Sequence, residues 1–331
     1  MIFNSEKPIL AHVELTDICN AMCPMCGRNY IENGQLKSVP YFKNNELSYL
    51  NFTSIFDKDF FKNFNLKKVN FCGNISDPLS SSHLIDIIKY LKLNKKNITI
   101  DIATNGSIRN EKYFKDLALE LKTINHRVTF AIDGLKETHK LYRINTDYKK
   151  ILKNALAFIK HGGNARWQFL VFKHNKHQVS IANKLSKRLG FNEFITIKTP
   201  RFKKNDSLTF NFKDKNYSLE EVGDFYNYDV SGKINCKAKK NNEFYVDYKG
   251  NIHACCYLGG EYLKNIISNG GDSIMEFYDD VKMNAIKNNT TDIINSLFFN
   301  QLEKSFTVSP ALACKKFCSK INLQKKIEKY D

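Results

Sequence analysis

The chain has 331 residues, 42% hydrophobic and 26% charged, which suffices for one large domain plus a smaller one and excludes disorder over most of its length. Lys and Arg outnumber Asp and Glu by 51 to 34, a net charge of +17. Only seven of these cations are Arg, set among abundant Asn, Ile, Phe and Tyr, so the charge reads first as a solvated Lys-rich surface and second as a nucleic-acid-binding face.

The chain begins MIFNSEKPILAHVEL, without the basic region and apolar run of a signal peptide, and no stretch approaches the roughly 18 apolar residues of a spanning helix. A cytoplasmic protein without membrane attachment is expected, in which thiols stay reduced and grouped cysteines bind metal or do chemistry. The nine cysteines, an odd number, therefore carry more information than the charge.

Short apolar runs at Ile9 to Leu15, Lys68 to Cys72, Ile98 to Ala103, Arg127 to Ile132, Arg166 to Phe172 and Glu193 to Ile197 predict six strands. Between them, segments with i, i+3, i+4 spacing predict helices over His83 to Leu93, Glu111 to Ile124, Tyr148 to His161 and Gln178 to Leu189. The alternation argues for parallel strands with helical crossovers, an α/β fold forming part of a barrel. Arg201 to Ser218 is polar and Lys-rich, a linker or extended hairpin, and we place a domain boundary between residues 204 and 205. Beyond it, Phe244 to Asp247 and Asn251 to Cys255 predict a hairpin turned at Tyr248-Lys249-Gly250, followed by a helix around Ser273 to Lys287 and a basic tail.

Just past the first predicted strand stands C-x3-C-x2-C: Cys19, Cys23 and Cys26. Three thiolates in one loop can hold three irons of a [4Fe-4S] cubane and leave the fourth open for chemistry. A zinc site normally closes with a fourth N or S ligand, and the nearest local candidate, His12, lies on the preceding strand. Cys72, on a predicted buried strand, reads as a core thiol.

With these residues the sequence resembles the radical S-adenosylmethionine (SAM) superfamily over about its first 200 residues. The resemblance implies a partial (β/α)6 TIM-like barrel, with Cys19, Cys23 and Cys26 binding a cluster that reductively cleaves SAM to methionine and a 5'-deoxyadenosyl radical. Met25 stands where an aromatic residue often touches adenine. The segment FCGNISDPL is similar to the family's Gly-Gly-Glu-Pro stretch, which implies that Gly73, Asn74, Ser76 and Asp77 contact SAM. Asn105, Asp133, Arg143 and Gln168, at the ends of later predicted strands or on them, are further candidate SAM contacts. The family's serine on the fourth strand is Ala131 here.

Five cysteines, Cys236, Cys255, Cys256, Cys314 and Cys318, crowd into the last hundred residues. Their layout resembles the SPASM or twitch extension, a small α+β unit, and implies an auxiliary [4Fe-4S] cluster. Cys236, Cys255, Cys314 and Cys318 are the favoured ligands, since neighbours on a strand face opposite ways and one of Cys255 and Cys256 should turn aside; a structural zinc is the alternative. The expected function is hydrogen abstraction from a peptide or small molecule, served by an electron donor such as flavodoxin or ferredoxin. An RNA-modifying radical enzyme and a non-catalytic metal-binding module are the rivals.

Overall fold

A computed structural model describes the chain apart from residues 1, 2, 5, 200, 203–206, 223–232, 269–272, 320–327 and 331. Strand β1 is Ile9–Val13; β2 (Asn29–Glu32) and β3 (Gln35–Ser38) form a hairpin; β4 is Leu66–Phe71, β5 Thr99–Thr104, β6 Asn125–Ala131, β7 Ala165–Val171 and β8 Glu193–Lys198. Then follow β9 (Ser207–Phe212), β10 (Lys215–Glu220), β11 (Glu243–Val246), β12 (Ile252–His253) and β13 (Glu328–Tyr330).

The six expected strands, β1 and β4 to β8, lie side by side and parallel in chain order, each joined to the next across helices. This is the partial (β/α)6 barrel. The crossovers form because their apolar residues fall on one stripe. In helix Leu84–Asn94 the buried residues are Leu84, Ile87, Ile88 and Leu91, each contributing about 1.5–3 kcal/mol relative to exposure. Helix Glu111–Leu121 buries Phe114, Leu117, Ala118 and Leu121, and Gly162 and Gly190 turn the chain after two later helices with φ of +89° and +83°.

Alternation along the strands gives the helix-facing side to Val69, Phe71, Ile100, Ile102, Val128, Phe130, Trp167 and Phe169. The luminal side is polar. Lys68 and Arg127 both pair with Asp101, at 2.6 and 2.5 Å, and Arg166 pairs with Glu193 at 2.5 Å. These pairs floor the lumen toward the strands' N-terminal ends and leave the C-terminal ends to the site. Cys72, expected in the core, lies just past β4 and is half-buried, because alternation gives the core position to Phe71.

Strand β11 adds to the same sheet, parallel to β1, with Leu10 to Val13 in register with Glu243 to Val246. The predicted hairpin forms with β12 antiparallel to β11. The Lys-rich stretch is the hairpin β9–β10, which joins β2–β3 in a second sheet of order β10-β9-β3-β2. The single helix expected over Ser273 to Lys287 is broken: a 3-10 turn at Ser273–Phe277 is followed by helix Asp280–Met283, restarted by the Asp279 side chain capping Val281 and Lys282 amides. The boundary between 204 and 205 and much of the basic tail lie outside the described residues. No described helix is long and apolar enough to cross a membrane.

Candidate functional site: three cysteines at the mouth of the barrel

The loop after β1 carries Cys19, Cys23 and Cys26. Cys23 is buried and the other two are half-buried. The loop is closed by Cys26 N donating to Cys23 O at 3.0 Å, by Asn29 Nδ2 donating to the same carbonyl, and by Met22 N donating to Ile144 O. The Asp17 carboxylate receives Lys43 N and both the amide and side chain of Asn45, while Arg28 donates to the Asp17 carbonyl. Tyr142, Ile144, Phe172 and Phe202, with Leu36, Phe210 and Leu219 of the second sheet, pack around Ala21 and Cys23 as a small separate core; Met25 sits half-buried at its edge. That cover keeps water from the cysteines. It rests on the β2–β3 hairpin, which the sequence reading left out although Asn33-Gly34, both at positive φ, is a strong two-residue hairpin signal.

Burial pushes the Cys19 thiol up, and pushes Cys23 up to about 11 against the pull of the Arg143 guanidinium. The three sulfurs are near enough for their charged forms to repel one another. Two N–H groups are aimed at them. Asn105 Nδ2 lies 3.7 Å from Cys19 Sγ and Arg143 Nη1 lies 3.7 Å from Cys23 Sγ. Arg143 is held in turn by Asp133, which accepts from its Nε at 2.6 Å and from Leu170 N at 2.7 Å. Asn105 also donates to Asn20 Oδ1 at 2.8 Å, and the following turn is pinned by buried Asn154, which donates to Gly106 O and Arg109 O. A nest of thiols compensated by one guanidinium and one amide fits a [4Fe-4S] cluster. Among the described residues no three His, Cys, Asp or Glu side chains gather tightly enough to chelate a single ion; a cubane, whose ligands sit on separate irons, needs wider spacing.

The Gly73 to Ser76 loop follows β4. A Cβ on Gly73 would stand 2.3 Å from Ser76 O, so the tight curl admits only glycine. Glu14, fully buried at the end of β1, holds the far side of this loop by accepting from Ile75 N and Ser76 N at 3.0 Å and Ser76 Oγ at 2.8 Å, and the Tyr245 hydroxyl of β11 donates to its other oxygen. Burial pushes the Glu14 carboxyl above the usual carboxylate range. Asn74 Nδ2 donates to Cys256 O at 2.7 Å. Neither Glu14 nor Tyr245 was singled out from sequence, because each acts through a partner far along the chain.

Asp77 is buried, and its carboxylate accepts from Thr104 Oγ1 at 2.9 Å, Asn105 N at 2.7 Å and Leu79 N at 3.1 Å. It locks β4 to β5 and caps a 3-10 turn at Pro78–Ser80. Gln168 is half-buried on the luminal side of β7, between fully buried Trp167 and Phe169, and is in register with Ala131. Gly73, Asn74, Ser76, Asp77, Asn105 and Asp133 thus converge around the cysteine loop from the ends of β4, β5 and β6, with Arg143 reaching in from the end of helix Lys136–Tyr142 and Gln168 on the neighbouring wall.

In the C-terminal part, Cys236, Cys255 and Cys318 stand near enough for their charged forms to repel. Burial pushes Cys236 up and Cys255 up to about 12. Cys314 and Cys318 are both buried, one turn apart in helix Leu312–Cys318, and so lie on one face. The expected strand ends at His253, and Cys256 opens helix Cys256–Ser268. Strand alternation therefore does not separate Cys255 from Cys256; the turn into the helix does, carrying Cys256 toward Tyr245. Ile234 bridges to Ser319 and Tyr257 stacks on Phe317 at 4.1 Å, which draws the three segments together.

No curated protein matches the chain. Among solved structures, a Streptococcus suis SuiB bound to precursor peptide SuiA is similar at 13% identity with a TM-score of 0.61, over 95% of this chain and 71% of that one. A polyhistidine-tagged anSMEcpe with bound AdoMet (SAM) is similar at 17% identity with a TM-score of 0.56, over 91% of this chain and 81% of that one. Native anSMEcpe with bound AdoMet and Cp18Cys peptide is similar at 16% identity with a TM-score of 0.55, over 91% and 84%. These likenesses concern the fold. The Radical SAM superfamily profile matches residues 13–179, half of the chain and the stretch that holds the cysteine loop, the Gly73 loop and Arg143, and the chain belongs to that superfamily of enzymes.

Proposed function

We propose that this enzyme uses SAM to abstract a hydrogen atom from a peptide, with Cys19, Cys23 and Cys26 holding the [4Fe-4S] cluster and a second cluster held by Cys236, Cys255, Cys314 and Cys318. The observation that carries the reading is the three-cysteine loop, with Cys23 buried and Cys19 and Cys26 half-buried, at the C-terminal ends of the strands, where ligands sit in this architecture. When bound there, the reduced cluster supplies the electron that cleaves SAM to methionine and a 5'-deoxyadenosyl radical.

The chain's own residues bind, orient and exclude. Arg143 and Asn105 offset the negative charge of the thiolates. The Gly73 to Ser76 loop, held from behind by Glu14, would offer its other side to the methionyl amino group. Asp77 serves this arrangement by fixing the loop's exit, and with every described acceptor contact taken up by backbone or Thr104 it acts as a brace. Gln168, half-buried on β7, would meet the ribose or carboxylate of SAM. The second sheet and its small core shut water out, which protects a reactive radical.

A barrel of residues 1–204 followed by a cluster-bearing SPASM or twitch unit of 205–331 accords with the gathering of Cys236, Cys255 and Cys318. The peptide reading is supported by structural neighbours bound to SuiA and to Cp18Cys peptide. An RNA substrate is less favoured: at the barrel mouth Lys140 pairs with Glu137 and Lys173 with Glu220, so these cations are already compensated. Two measurements test the reading. A Cys19/Cys23/Cys26 triple-Ala variant should retain close to four irons and matching sulfide; zinc alone would overturn the second cluster. Deuterated candidate peptide substrates should pass deuterium into 5'-deoxyadenosine, and transfer only from labelled RNA would replace the peptide reading.

A further inference from the structure

The Gly73 to Ser76 loop has two faces. One faces the cysteine loop after β1; the other is joined to the C-terminal part of the chain by two separate links. Asn74 Nδ2 donates 2.7 Å to the carbonyl of Cys256, and Glu14, which receives three hydrogen bonds from Ile75 and Ser76, receives its fourth from Tyr245. Tyr245 and Glu14 are buried without exposure beyond 1%, so neither can exchange its partner for water. The Cys256 carbonyl stands in the first turn of the helix that Cys255 precedes, and that helix stacks Tyr257 on Phe317 at 4.1 Å, between Cys314 and Cys318, while Ser319 bridges to Ile234 near Cys236. Anything that fixes the Cys255 sulfur fixes the start of helix Cys256–Ser268, and with it the acceptor on which Asn74 rests.

We propose that Asn74, on a loop that Glu14 holds in place, is a positioning residue that couples the C-terminal cysteine site to SAM binding, so that filling the second site tightens SAM at the first. The proposal rests on the reading of Cys236, Cys255, Cys314 and Cys318 as a cluster site. Coupling is reciprocal: SAM stabilises the filled second site by the same factor with which that site strengthens SAM binding. One hydrogen bond transmitted in this way corresponds to about fivefold in affinity, from roughly 1 kcal/mol.

The experiment is a double-mutant cycle on the full-length, anaerobically reconstituted protein, with SAM affinity read from calorimetry and from the change in the first cluster's electron paramagnetic resonance spectrum. Wild type and Asn74→Ala are each compared with the second site intact and with it emptied by Cys236→Ser/Cys318→Ser, iron being counted in all four. The expected result is about fivefold weaker SAM binding on emptying the site in wild type, and no further loss in the Asn74→Ala background. Equal SAM affinity with the site full and empty overturns the coupling. So does an Asn74→Ala variant that loses the same factor as wild type, the behaviour of a residue that only shapes the loop. Should Cys236→Ser/Cys318→Ser misfold, the rate at which a chelator removes iron with and without SAM from wild type and Asn74→Ala decides the point: the coupling requires SAM to protect iron at the second site in wild type alone. An iron count unchanged by Cys236→Ser/Cys318→Ser refutes the cluster reading itself and the coupling with it, a failure distinct from equal affinities at full loading.

Discussion

The Tyr245 hydroxyl donates to the Glu14 carboxyl, so that a side chain of β11 supports one just past β1 more than two hundred residues earlier, and both groups are buried. Removing one partner leaves the other buried and unpaired. Tyr245→Phe should therefore lower the unfolding free energy by about 1–3 kcal/mol, whereas Glu14→Ala should cost more because Ile75 N, Ser76 N and Ser76 Oγ lose their acceptor as well. Denaturant unfolding of the metal-free protein measures both. An unchanged midpoint in Tyr245→Phe would show that the bond carries no stability.

Asn105 and Arg143 point their N–H groups at Cys19 and Cys23. Hydrogen bonds and positive charge at the sulfurs favour the reduced cluster. Arg143→Ala should make the first cluster about tenfold harder to reduce, which is ~59 mV for a one-electron couple; Asn105→Ala should shift the potential the same way by less. A redox titration followed by electron paramagnetic resonance reads this without turnover.

Gly73→Ala would place a Cβ 2.3 Å from Ser76 O and 2.5 Å from Ser76 Oγ. Backbone cannot yield as a flexible side chain does, so the loop must open. SAM affinity should fall at least about tenfold, equivalent to 1.4 kcal/mol, with cluster content unchanged. Calorimetry on the reconstituted variant checks it.

His139 is buried without exposure; its Nδ1 accepts from Asp133 N at 3.1 Å, so the ring is neutral and its Nε2–H donates to Thr146 Oγ1. Burial, with Arg143 nearby, pulls its pKa down to about 3. The folded chain thus binds fewer protons than the unfolded one, and this contribution is complete above pH 6.5 and lost as pH falls toward 3, at up to about 1.4 kcal/mol per pH unit. His139→Gln should be less stable than wild type at pH 7.5 and lose less on acidification. Unfolding curves across pH 4–7.5 test the sign.

Strands and crossover helices were legible in the sequence because each buries a stripe or an alternating face that local spacing records, as in Leu84, Ile87, Ile88 and Leu91. The cysteine loop was legible for a similar reason: Cys19, Cys23 and Cys26 stand within eight residues. The parallel placement of β11 beside β1 was not, since nothing in EFYV names its neighbour. Glu14 escaped notice because a carboxylate's role depends on partners at Ser76 and Tyr245, and the bracing of Asp77 by Thr104, Asn105 and Leu79 is equally absent from local spacing. Long-range polar pairing leaves little periodic trace.

That the cysteine loop drives SAM cleavage is tested most directly by chromatographic assay of 5'-deoxyadenosine from anaerobically reconstituted, reduced protein supplied with SAM. The wild type should form 5'-deoxyadenosine and methionine in equal amounts, and Cys23→Ala should form none. A fully loaded wild type that neither binds nor cleaves SAM, or a Cys23→Ala variant that matches it, would contradict the account.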